Sequence, residues 1–160
     1  MSSKPNQNFP VAPVIQDTLT IIQFALKRRK CRLITELSEG ITLLGNPHWL
    51  SEIITNLVIN VIEACKPESG DISIVMKRIE ENRLMLQVKD TGNGIKDDNL
   101  KWIFDPLFTT KPFGEGTGLG LSIVHNLVDE LHGSIEVESK PGETFFTILL
   151  PLSKENVPDV

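Results

Sequence analysis

The chain has 160 residues, 40% apolar and 23% charged, which fits one soluble globular domain with a core of its own. A formal net charge of −5, with no basic run larger than Lys27-Arg28-Arg29-Lys30, argues against nucleic acid as a main partner. No apolar run reaches the roughly 18 residues of a membrane span, nothing reads as a signal peptide, and Cys31 and Cys65 lack metal-ligand spacing.

In chain order, residues 1–11, with Pro5, Pro10 and several Ser, Asn and Gln, read as a disordered leader or linker. Ile15, Leu19, Ile22 and Leu26 predict one amphipathic helix over 12–28, whose basic end suits a helix C-terminus. A strand is expected over 31–37 and a short apolar one over 41–44, ended by Gly45. Asn46 before Pro47 marks a helix start, and that helix runs to about Cys65, ahead of Lys66-Pro67. Residues 71–79 and 83–90 alternate strongly and form a hairpin around Glu80-Glu81-Asn82. A short helix over 97–104 and an irregular stretch to Glu115 follow. Leu121, Val124, Leu127, Val128 and Leu131 line one side of a helix over 119–132, closed by Gly133. A second hairpin, 134–138 with 145–150, turns at Pro141-Gly142, and 152–160 is a polar tail. This order predicts an α+β, two-layer sandwich with a mostly antiparallel sheet and helices on one face.

Three features carry chemistry. Thr109-Thr110-Lys111 stands just ahead of Gly116-Thr117-Gly118-Leu119-Gly120-Leu121, whose glycines open an apolar-periodic helix. Glycine admits a ligand close to the backbone, and a helix N-terminus offers unpaired N–H groups with partial positive charge, which suits a polyphosphate. No G-x-x-x-x-G-K-[ST] occurs, and G-x-G-x-G not preceded by a strand excludes the dinucleotide fingerprint, leaving a flexible loop as the plain alternative.

On the second predicted long helix, Glu52, Asn56, Asn60 and Glu63 line a face apart from Leu50, Ile53, Ile54, Leu57 and Val61. Asparagine is a poor interior helix former, so two of them one turn apart read as ligand-facing, against a merely solvated face. An amide oxygen suits a hard cation such as Mg²⁺. Asp90 shares the parity of Leu84, Leu86 and Val88, so its carboxylate points inward. There it could accept the exocyclic amine of a purine, with Gly92 and Gly94 leaving room for the ring, or simply cap a turn.

Taken in order, these segments resemble the ATP-binding catalytic domain of two-component sensor histidine kinases, in the superfamily shared with gyrase, heat-shock chaperone and mismatch-repair ATPases. The resemblance covers 12–151, the expected domain. Asn56-Leu57-Val58-Ile59-Asn60-Val61-Ile62-Glu63-Ala64 looks like the N box, and Asp90-Thr91-Gly92-Asn93-Gly94-Ile95 matches the first glycine box. The F box corresponds to Ile103-Phe104-Asp105-Pro106-Leu107-Phe108-Thr109-Thr110-Lys111, and the second glycine box to 116–121. The resemblance implies a Bergerat-type fold with ATP between helices and a lid over about 96–117. It assigns Asn60 to Mg²⁺, Asn56 to phosphate and metal-shell contacts, and Asp90 to the adenine amine. Glu63, Gly92, Gly94, Ile95, Phe104, Thr109 and Thr110 join the nucleotide site by the same resemblance. So do Lys111 and the Gly116, Thr117, Gly118, Leu119, Gly120 and Leu121 backbone, which would hold the phosphates. Thr144 matches the hydroxyl near adenine.

Pro141-Gly142-Glu143-Thr144-Phe145-Phe146 is one residue shorter than the usual third glycine box and lacks its second glycine, resembling sensor kinases of the nitrogen-regulation (NtrB) type. His48, His125 and His132 all lack a phosphoacceptor context, so the histidine that receives the phosphate is expected on a separate dimerisation domain, in cis or in trans. The implied function is transfer of the ATP γ-phosphoryl group to that histidine, with a response regulator as indirect partner and no nucleic acid or membrane contact. The implied place is the cytoplasm, or the cytoplasmic part of a membrane-bound sensor. The alternatives are an ATP-driven clamp and an anti-sigma-type serine kinase. Both relatives keep a glutamate base where this chain has Asn56, and the latter lack the F box.

Overall fold

The computed structural model describes residues 6–64, 70–92, 94–106, 108 and 120–152. In chain order the elements are β1 (Gln7–Pro10), α1 (Val11–Ile21), α2 (Gln23–Arg29), β2 (Arg32–Leu37), β3 (Thr42–Gly45) and α3 (Pro47–Ala64). Then come β4 (Asp71–Ile79), β5 (Arg83–Asp90), α4 (Asp97–Leu100), α5 (Gly120–Glu130), β6 (Ser134–Lys140) and β7 (Glu143–Pro151).

Strict alternation makes the main sheet one-sided. Ile72, Ile74 and Met76 of β4, Leu84, Leu86 and Val88 of β5, and Phe146, Ile148 and Leu150 of β7 are all buried on the same face. The sheet order is β2-β4-β5-β7-β6; only β2 and β4 run parallel. Seven apolar side chains of α3, from Leu50 to Ile62, are buried in the shared core, joined by Val124 and Val128 of α5 and Ile15 and Leu19 of α1. This is the expected α+β two-layer arrangement. Asn46 caps α3 as anticipated: its Oδ1 accepts the His48 N–H at 3.0 Å.

Four local expectations are corrected. Gln7–Pro10, within the stretch read as a leader, is strand β1, paired antiparallel with β3. The single helix over 12–28 breaks at Ile22, whose φ/ψ of −93°/7° lies between α1 and α2. Thr18 and Thr20 donate their hydroxyls back to the Val14 and Gln16 carbonyls, a bond that bends helices, within a β-branched run. The helix over 97–104 stops at Leu100 and continues as turns. Finally, the left-handed residue after α5 is His132 (φ 61°), not Gly133. The Gly133 N–H reaches the Val128 carbonyl and the His132 N–H the Asp129 carbonyl, a Schellman ending. Gly133 is required for another reason: a Cβ there would strike the Leu149 carbonyl oxygen.

Candidate functional site

One end of the sheet holds a polar row on the otherwise apolar inner face. Asp90 stands opposite Thr144, which stands opposite Ser139. Asp90 and Thr144 are each 2% exposed. Asp90 Oδ1 accepts the Gly92 N–H at 2.8 Å, and no described residue donates to Oδ2. Burial pushes the Asp90 carboxyl pKa above the ordinary carboxylate range, while the Gly92 hydrogen bond pulls it down. A buried carboxylate with one oxygen unpartnered among the described residues can accept a donor from a ligand.

The segment after β5 is built for close approach. A Cβ on Gly92 would strike the Ala64 carbonyl at the end of α3, and one on Gly94, at φ +81°, would sit 2.7 Å from the Lys140 carbonyl oxygen. The Gly142 N–H donates to the Gly92 carbonyl at 2.9 Å, and the Ile95 N–H to Ser139 Oγ at 2.6 Å. These bonds fasten Gly92 and Ile95 to the β6–β7 turn. Ser139 Oγ lies 2.7 Å from Thr144 Oγ1. Sequence reasoning missed Ser139. The one available signal was register: a two-residue Pro141-Gly142 turn sets Ser139 opposite Thr144.

On α3 the polar stripe divides by exposure. Glu52 and Glu63 are exposed, whereas Asn56 and Asn60 are half-buried. Asn56 Nδ2 donates to the Glu52 carbonyl at 2.8 Å, and a Cβ on Gly120 would lie 3.5 Å from Asn56 Oδ1. The Asn56 oxygen therefore faces the first residue of α5, where unpaired N–H groups attract anions. Asn60 follows one turn later, and Ala64 a turn beyond abuts Gly92 beside Asp90. From Asn56 to Ala64 the helix rises about 12 Å. One helix thus links an anion-attracting end to a buried acceptor, a spacing suited to the phosphates and base of a nucleotide. The donor set also fits Mg²⁺. Among the described residues no three His, Cys, Asp or Glu side chains cluster, so a hard cation here would take amide oxygens and ligand phosphates.

Of the remaining candidates, Leu121 is half-buried on α5, and Phe104 is half-buried with its ring 5.6 Å from that of His125. The Glu63 carbonyl accepts Arg29 Nη2 at 3.2 Å. His48 is exposed at the start of α3, and His125 pairs with Asp129 at 3.5 Å. Thr109, Thr110, Lys111, Gly116, Thr117, Gly118 and Leu119 lie outside the described residues, as does the later part of the expected lid, 109–117.

The family model for histidine kinase-, DNA gyrase B-, and HSP90-like ATPases matches residues 45–154, from the start of α3 through β7. The chain belongs to this family. Within the family, Sensor histidine kinase ZraS of Salmonella typhimurium (strain LT2) is 35% identical over 141 residues, 87% of this chain and 30% of that protein. The chain therefore spans under a third of that curated relative. The solved catalytic domain of histidine kinase ThkA, in a nucleotide-free form, superposes with a TM-score of 0.84 at 26% identity, over 96% of this chain and 99% of that one. Histidine kinase ThkA solved in complex with response regulator protein TrrA has the same fold, with a TM-score of 0.79 at 23% identity, over 94% of this chain and 42% of that one. The ThkA likeness takes in α1 and α2, which the ATPase family model does not reach. No helix among the described residues is long and apolar enough to cross a membrane.

Proposed function

We propose that this ATPase-family chain binds Mg–ATP between α3 and α5 and hands the γ-phosphoryl group to a histidine on a separate dimerisation domain. The observation that carries the nucleotide assignment is Asp90, a buried carboxylate whose Oδ2 has no donor among the described residues. Adenine offers an amine to that oxygen; guanine would oppose it with a carbonyl. Asn60, with Asn56 beside it, would hold Mg²⁺, and the cation would neutralise charge on the phosphates. Lys111 and the 116–121 amides would cradle the same phosphates, and Thr144 would meet the base.

Asn56 favours phosphotransfer to histidine over the competing readings. Water or a serine hydroxyl must lose a proton as it attacks phosphorus, which calls for a base, and an amide cannot serve as one. A neutral imidazole attacks through a nitrogen lone pair and needs no proton removed first. Catalysis is then chiefly positioning and charge neutralisation. The working unit is 12–151, with β1 packed against it, acting in the cytoplasm or in the cytoplasmic part of a membrane-bound sensor. A response regulator takes the phosphate from the histidine in turn.

Radiolabelled ATP tests this. The chain alone should bind ATP, stay unlabelled, and turn over ATP far below about 1 s⁻¹. Added to a cognate dimerisation domain, it should label that domain's histidine with an acid-labile, base-stable phosphate, slowly and in proportion to protein concentration because no tether raises the effective concentration. Stable label on the chain itself, or brisk phosphate release abolished by Asn60→Ala, would overturn the assignment.

A further inference from the structure

Ser139 belongs to none of the motifs that define the site, yet its hydroxyl joins two parts of it. Its Oγ accepts the Ile95 N–H at 2.6 Å and lies 2.7 Å from Thr144 Oγ1. Register puts Ser139, Thr144 and Asp90 in one row across three strands. We propose that Ser139 is a positioning residue for the nucleotide, fixing the Thr144 hydroxyl beside Asp90; this rests on the ATP-site reading above.

Hydrogen-bond capacity fixes what the Ser139 hydroxyl can do. A serine hydroxyl has one proton and two lone pairs. Ile95 occupies one lone pair, so the bond to Thr144 uses either the proton or the second lone pair. Both directions hold Thr144 Oγ1 at one place. Thr144 is β-branched and 2% exposed, so its hydroxyl cannot turn away without carrying its methyl group through a packed core. Remove Ser139 Oγ, and a buried hydroxyl loses its partner at the point where the base would meet it. The same loss frees the Ile95 N–H, so the test must separate the two consequences.

Calorimetric titration with Mg–ATP on Ser139→Thr and Ser139→Val, with Ser139→Val repeated in a Thr144→Val background, does so. The two side chains are isosteric, β-branched and at home in a strand, and only the first keeps the hydroxyl. Ser139→Thr should bind within about threefold of the unmodified chain, and Ser139→Val roughly tenfold more weakly. Thr144→Val should also weaken binding, and Ser139→Val added to it should cost nothing further, because the effect runs through Thr144. Unaltered affinity in Ser139→Val, or a penalty that persists in full in the Thr144→Val background, would overturn the positioning role and leave the ATP site standing. No Mg–ATP binding by the unmodified chain would overturn the site reading and this proposal together.

Discussion

Replacing Asp90 by Asn separates the charge of this residue from its shape. The Gly92 N–H requires an acceptor at the Oδ1 position, 2.8 Å away. An Asn side chain therefore turns its oxygen to Gly92 and its NH₂ group to the base, where a donor now faces the adenine amine. The lost bond was charge-assisted, worth about 1.5–3 kcal/mol, and the opposed donors add a desolvation penalty of about 1–3 kcal/mol. ATP affinity should fall on the order of a hundredfold or more. Inosine triphosphate, which presents a carbonyl at the same place, should gain and overtake ATP. The fold should not suffer. Burial already disfavours the ionised carboxylate, so the variant should melt at or above the temperature of the unmodified chain. Calorimetric titration with both nucleotides and a thermal melt decide it. Unchanged preference for ATP, or a large drop in melting temperature, would refute the reasoning.

Three further outcomes follow from the same geometry. Asn60→Ala should weaken Mg–ATP binding roughly tenfold or more in calorimetry and leave the melt unchanged, since the side chain is only half-buried and is not one of the buried core residues of α3. Because the folded-state pKa of Asp90 is raised, its ionised form is a stability cost above that pKa, relieved as pH falls through it. Melts across pH should show the Asp90→Asn advantage shrinking on acidification, while ATP affinity of the unmodified chain falls over the same window. Gly94→Ala, at φ +81° and 2.7 Å from the Lys140 carbonyl oxygen, should cost about 2–4 kcal/mol in denaturant unfolding, whereas Gly142→Ala, at φ +87° with open space around it, should cost only about 1–2.

The parts of the fold that sequence revealed are those where one periodicity acts alone. β4 and β5 begin and end where alternation begins and ends, and the same parity foretold that Asp90 points inward. Asn46-Pro47 announced α3 because capping is local chemistry. What stayed hidden depends on partners distant in sequence. β1 buries only Phe9 and exists because β3 accepts it as a neighbour. The break at Ile22 comes from threonine hydroxyls choosing backbone carbonyls, a choice that the apolar spacing of Ile15, Leu19, Ile22 and Leu26 does not register. Gly133 looked like a left-handed cap, but its demand is set by the Leu149 carbonyl from another strand. In the proposed site, Asn56, Asn60, Asp90 and Thr144 were singled out by the family resemblance. Asn56's orientation toward Gly120 and the Ser139 bridge were not, because each depends on how two elements meet.

A crystal structure of the chain with Mg²⁺ and a non-hydrolysable ATP analogue decides whether Asp90 reads the base. The adenine amine should lie at hydrogen-bond distance, about 3 Å, from Asp90 Oδ2, with the metal on the Asn60 amide oxygen and the phosphates at the start of α5. A base bound away from Asp90, or phosphates on the Asp90 side of α3, would contradict that placement.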